Sequence, residues 1–214
     1  MHSIEDLYNL TEKPILSKIS LKLLQEYYKE YLMPYKFTYS LNNNQKINLV
    51  FNDSNFCHLL GIETVAEAKF GKNRKLTSKY RGVTGYKNIS NQNITFKTLK
   101  GLSPAKFKSI KDKLIFFYLL PHLLESSKLF IEYKHDPSVS FVQCKFLIYD
   151  MLHGSMIHIG IEIENGTNFF PRTFLIERIT QFNDGTRFIN NQNDEIEVQE
   201  ITITKRFSNT PAQN

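Results

Sequence analysis

Apolar positions first recur at helical spacing between Ser20 and Met33. There Leu21, Leu24, Tyr28 and Leu32 line one stripe, and Ser20 precedes it as an N-cap. Pro34 ends that helix. The period then shortens to two: Phe37–Leu41 and Ile47–Phe51 read as strands flanking the polar run Asn42-Asn-Asn-Gln-Lys46, which makes a hairpin. Asp53 or Ser54 caps a short helix that ends at Gly61 and carries His58 in its middle. Thr64 caps another over Val65–Phe70. Residues 71–102 are polar, basic and punctuated by Gly71, Gly82, Gly85 and Gly101, which reads as a long loop or a set of short elements. A structureless stretch of that length inside a compact domain is usually functional. Ser103-Pro104 opens the clearest helix, with Phe107, Ile110, Leu114, Phe117 and Tyr118 at helical spacing up to about Leu120. Pro121 kinks it, and a further turn runs to Ser126.

From Phe141 onward the pattern is that of strands: Phe141–Asp150, Met156–Glu164, Phe169–Ile179 and Glu195–Arg206, with turns at His153-Gly154 and Asn165-Gly166. The expected fold is α+β. N-terminal helices and a small hairpin precede a long helix packed on a four-stranded antiparallel sheet, with a frayed tail over 208–214. If Asn165 and Gly166 are the central turn residues, His158 faces Thr173 on the less apolar face of the sheet, with Gly160 beside them. The same register points Arg172 toward the core opposite Ile159. Either Arg172 pairs with a carboxylate such as Glu162 or Glu177, or Pro171 marks a bulge that turns it outward.

Composition narrows the class. With 41% hydrophobic and 22% charged residues, 17 Phe and 11 Tyr, the 214-residue chain has material for a core and is neither fibrous nor wholly disordered. Cys57 and Cys144 cannot make a disulfide framework and read as free thiols in a reducing compartment. The start MHSIEDLYNL lacks the pattern of a secretory leader. The longest apolar run, Leu114–Leu124, is too short to span a bilayer, so a cytoplasmic protein without membrane attachment is expected.

The net charge of +6 is unevenly distributed. Between Lys69 and Lys113 there are 13 basic residues and one acid, Asp112; the segment carries +12 and the rest of the chain −6. Clustered cations interleaved with aromatic residues suit a polyanionic partner, although a solvated basic face has the same composition. No HExxH motif and no phosphate-binding glycine loop occurs. A metal site among His153, His158, Glu162 and Glu164 is disfavoured, because strand residues share a face only at even separation. Cys57 and His58, adjacent on a helix, do not face each other as a catalytic pair would.

Five ordered segments carry a family resemblance. They are Asn55-Phe-Cys-His-Leu-Leu-Gly61, Tyr80-Arg-Gly-Val-Thr-Gly-Tyr-Lys87, Lys111-Asp-Lys-Leu-Ile-Phe-Phe-Tyr-Leu-Leu-Pro121, His158-Ile-Gly-Ile161 and Phe170-Pro-Arg-Thr-Phe-Leu-Ile-Glu177. Together, over roughly residues 47–180, they resemble the phage-type nuclease families of the Barnase–EndoU–Colicin–RelE superfamily. The resemblance implies helices followed by a four-stranded antiparallel sheet, and metal-independent RNA cleavage in a phage, mobile element or toxin system. It divides the chain into an N-terminal extension over 1–46, a nuclease-like domain over 47–206 and a tail.

On matching positions it implies His58 and His158 as an acid/base pair, Arg172 as a phosphate clamp and Thr173 in support. Such chemistry activates the ribose 2′-hydroxyl, stabilises the phosphorane charge and protonates the leaving oxygen. Lys79, Arg81 and Lys87 would hold the RNA backbone, and Tyr80 or Tyr86 would stack a base. No cofactor is implied. RNA, including tRNA, is the expected partner, together with a neutralising antitoxin or immunity protein. Two other readings share these features: a nucleic-acid-binding module without catalysis that uses segment 69–113, and a phage–host protein-interaction factor. Each residue also has an ordinary structural role open to it, His58 and His158 as core histidines, Arg172 as an ion-pair partner and Thr173 as a strand former.

Overall fold

The structure is a computed structural model that describes residues 1–137, 142–190, 192 and 195–206. Phe141, the expected start of a strand, and the tail expected to fray lie outside the described residues. The helices, in chain order, are α1 (Ile4–Tyr8), α2 (Leu21–Tyr31), α3 (Asp53–Leu59), α4 (Ile62–Phe70), α5 (Arg74–Thr77), α6 (Gly82–Ser90), α7 (Phe96–Leu102), α8 (Pro104–Phe116) and α9 (Leu119–Ser126). The strands are β1 (Tyr35–Leu41), β2 (Lys46–Val50), β3 (Leu129–Glu132), β4 (Phe146–Leu152), β5 (Ser155–Asn165), β6 (Asn168–Arg178) and β7 (Glu195–Lys205).

The caps explain the clearest boundaries. The Ser20 hydroxyl accepts from the Leu23 amide, and Ser103 accepts from Lys106 with Pro104 directly after it. α3 is capped by Asn52, one residue ahead of the expected Asp53 or Ser54, in a reciprocal box with Asn55. Gly61 ends α3 in the left-handed region (φ 72°) and also starts α4, ahead of the expected Thr64. The long helix breaks at Phe117–Tyr118 and not at Pro121. Pro121 lies in the first turn of α9, where its missing amide costs nothing, and its ring would clash with the Phe117 carbonyl in a continuous helix.

The expected four-stranded antiparallel sheet is overturned. Among the described residues, seven strands close into a barrel in the order β1-β2-β6-β5-β4-β3-β7. The strands at the edges of an open four-stranded meander would leave ladder groups unpaired. The hairpin β1–β2 and the short strand β3 fill those edges. β7 does not pair with its predecessor β6; it pairs with β3 and, from Tyr35↔Lys205 to Leu41↔Val198, with β1. β2 meets β6 in a short parallel contact, Asn48↔Asn168 and Leu49↔Phe169.

The inward faces of the strands and the aromatic residues of the helices form one core. Phe117 meets Phe174 edge-on at 5.8 Å between centroids, and Tyr39 meets Phe130 at 4.9 Å. Carbonyls left free at the α8–α9 break and the end of α9 accept from buried tyrosines: Tyr118 O from Tyr27 and Leu124 O from Tyr39, both at 2.8 Å. A second, smaller cluster lies on the outer face of β4–β5, where Tyr133, Cys144, Leu147 and Phe188 are buried together.

Segment 71–102, which has the composition of a loop, is largely helical. α6 holds two glycines and has little intrinsic helix preference. Close packing maintains it: a Cβ on Gly85 would stand 2.6 Å from the Tyr80 carbonyl carbon and 2.7 Å from Cys57 Sγ.

Candidate active site

The hairpin β5–β6 turns around Gly166 and Thr167, with Asn165 opposite Asn168 and their side chains joined at 2.7 Å. This is one residue later than the expected turn, so His158 faces Leu175 and not Thr173, which faces Gly160. A one-residue slip changes every partner. A second irregularity restores the site. Gly160 pairs with Thr173 and Ile161 with Pro171, which leaves Arg172 as the extra residue of a bulge. Pro171 is buried and Arg172 is exposed. Of the two readings open for Arg172, the outward bulge is therefore the one realised. Among the described residues it has no ion-pair partner, Glu162 and Glu177 included.

The bulge brings β6 against α3 and the start of α6. Two adjoining cavities share His58 and Arg172. One, about 320 Å³, is also bounded by Glu63, Arg81, Gly82 and Phe170; the other, about 400 Å³, by Gly61, Lys113, Gln143 and Thr173. His58, Arg81, Arg172 and Thr173, all named from the sequence, thus surround one cleft.

His58 is no core histidine: it sits in the last turn of α3 with its side chain 48% exposed. Its Nδ1 lies 3.2 Å from Glu63 Oε2, across the Gly61 turn. A half-exposed pair of this kind adds little stability. Its value is orientation: a carboxylate on Nδ1 fixes the N–H there and leaves Nε2 free to accept a proton. Arg81 donates to Glu67 at 2.5 Å, while its Nε is buried without a hydrogen-bond partner among the described residues. Lys113 projects from α8 into the second cavity, and desolvation pushes its pKa down to about 8.

His158 lies apart from this cleft. It is fully buried, stacked on Tyr149 and edge-on to Phe188, and among the described residues neither ring nitrogen has a hydrogen bond of normal geometry. Burial pushes its pKa down to about 4, against a weaker opposing pull from the Leu175 backbone. Tyr86 is packed on Tyr28 and Phe56 in the core, Tyr80 lies against Phe70, and Lys79 and Lys87 are exposed without lining either cavity.

Glu63 and Lys113 escaped the sequence reading. The signal for Glu63 was a His and a Glu five residues apart across a helix-ending glycine. For Lys113 it was a lysine beside Leu114 at the margin of an apolar stripe. Among the described residues, no group of three or more His, Cys, Asp or Glu side chains is placed to hold a metal ion. Nor is any helix among them long and apolar enough to cross a membrane.

A family model described as phage-Barnase-EndoU-ColicinE5/D-RelE like nuclease4 matches residues 21–209. No curated protein and no solved structure matches the chain.

Proposed function

The chain belongs to this phage-type nuclease family, and from that premise we propose that it is a metal-independent endoribonuclease acting in a phage, mobile element or toxin system. The observation that carries the reading is the cleft itself: an oriented histidine, two arginines and a desolvated lysine converge on space for a phosphodiester. The 2′-hydroxyl gives its proton to His58 Nε2 as O2′ bonds to phosphorus. Arg81 and Arg172 meet the charge that develops on the non-bridging oxygens. The P–O5′ bond breaks, and Lys113, largely an ammonium at neutral pH, protonates the leaving O5′. Thr173 donates its hydroxyl to a phosphate oxygen. His158 has no part in this scheme, since a histidine held neutral and enclosed can neither reach the phosphate nor exchange protons at pH 7.

The products would be a 2′,3′-cyclic phosphate and a 5′-hydroxyl. A cytoplasmic enzyme of this kind needs restraint in its host, and a neutralising protein that fills the basic cleft would provide it. The test is incubation of total RNA and tRNA with the purified chain in EDTA, beside His58→Ala and Arg172→Ala. Discrete fragments with cyclic ends, lost in both variants, are expected. RNA that is bound but left intact would replace the enzyme with a binding module. RNA neither bound nor cut would favour a protein-interaction factor.

A further inference from the structure

The cleft continues beyond the reacting groups. Arg81 lines both the cleft and a neighbouring cavity of about 530 Å³, whose wall includes Gly71, Lys72, Arg74 and Thr77. His58 and Arg172 in turn line both cavities of the cleft, the one that Arg81 borders and the one that holds Lys113. Three cavities therefore run in series, with Arg81 at one junction and Arg172 at the other. The two acids on this path are engaged, Glu67 by Arg81 and Glu63 by His58, so the uncompensated charge along it is positive.

Two details point to a polymer and not a single nucleotide. The Arg81 side chain is 40% exposed and lines both cavities, so its guanidinium can meet the phosphates of two successive nucleotides. Phe170, half-buried, is the aromatic side chain bounding the cleft, whereas Tyr80 and Tyr86 are taken up by packing. An aromatic wall beside a basic path is how unstacked bases of a single strand are held.

Resting on the nuclease reading, we infer that the three cavities form one track for a single RNA strand. Its outer subsite, at Lys72 and Arg74, grips phosphate remote from the bond that is cut, and Phe170 stacks a base next to His58. α5 and its flanking turn are then a substrate-binding element.

The test uses the full chain and fluorescein-labelled oligoribonucleotides of three, six and twelve nucleotides, 2′-O-methylated throughout so that they cannot be cleaved. Binding is read by anisotropy at several salt concentrations. Affinity should rise with length. The double variant Lys72→Ala/Arg74→Ala should weaken the 12-mer about tenfold or more and the 3-mer far less. It should also flatten the salt slope for the 12-mer by roughly 1.4, the loss of about two phosphate contacts. Phe170→Ala should weaken all three by roughly tenfold, with Phe170→Trp restoring them, and a twelve-base-pair RNA duplex should bind more weakly than the single strand. Equal losses for 3-mer and 12-mer, or none for either, would overturn the track and leave the nuclease standing if the wild type still cuts unmodified RNA. Wild-type protein that neither binds nor cuts would overturn both.

Discussion

Lys113 offers a test in which stability and activity move in opposite directions. Desolvation lowers its pKa from an ordinary 10.5 to about 8, so the fold disfavours the charged form. At about 1.4 kcal/mol per tenfold change, this amounts to ~3 kcal/mol of penalty at pH 7. The side chain is only partly enclosed, and solvent screening reduces the figure to about 1.5–3 kcal/mol. Below pH 8 the penalty is present in full. Between pH 8 and 10.5 the unfolded chain binds more protons than the folded one, so this contribution makes stability rise with pH and then levels off. Buried Cys57 and tyrosines such as Tyr28 and Tyr39, whose pKa values burial raises, act in the opposite sense over the same alkaline range. The difference between wild type and Lys113→Met cancels them.

Methionine keeps the stem that packs near Gly61 and discards the ammonium. Urea unfolding followed by circular dichroism at pH 7 should show the variant more stable by about 1.5–3 kcal/mol, which at a typical urea slope moves the midpoint by roughly 0.5–1.5 M. That advantage should shrink by pH 10, and RNA cleavage by the same variant should fall with loss of the acid. A variant no more stable than wild type at pH 7, or one whose gain is undiminished at pH 10, would refute the desolvation argument.

Glu63→Gln should keep the fold and lower kcat by about 10–100-fold, the cost of an unoriented base; unchanged turnover would remove Glu63 from the mechanism. The pH–rate profile of wild type should fall above about pH 8 as Lys113 loses its proton, and Lys113→Arg should move that alkaline limb upward. Gly85→Ala should destabilise by about 1–3 kcal/mol in a thermal melt, because the added methyl meets the Tyr80 backbone, which cannot swing away. His158→Phe should be neutral or stabilising by about 1 kcal/mol and leave cleavage intact, since it removes two buried nitrogens that have no hydrogen bond of normal geometry among the described residues. Lost cleavage in a folded His158→Phe protein would restore His158 to the site.

Local chemistry was legible in the sequence; long-range pairing was not. Ser20 and Ser103-Pro104 declare helix starts within a few residues, and the structure has both. The antiparallel sheet failed as a prediction because β7 leaves its chain neighbour β6 for β1 and β3, a choice that no local pattern encodes. β3 is four residues long and follows α9 closely, too short to display alternation. α6 is stabilised by tertiary contact at Gly85 and not by propensity. His58, Arg81, Arg172 and Thr173 were singled out by their chemical type and by the segments that carry the family resemblance, and the packing of α3, α6 and β6 brings them around adjoining cavities. Pairing His158 with Thr173 relied on a perfect register, and the shifted turn and the bulge changed it.

Barrel closure also sets an order of events along the polypeptide. The β1–β7 ladder joins positions about 170 residues apart, a loop whose closure costs ~4–5 kcal/mol of chain entropy before any ladder bond forms. Contacts so distant in sequence slow folding. Synthesis delivers His58, Arg81 and Arg172 well before the strand that seals the barrel. A nascent chain lacking Glu195–Lys205 has these side chains but leaves β1 and β3 with open edges. Barrel closure therefore waits for Glu195–Lys205, long after β1 and β3 have been made.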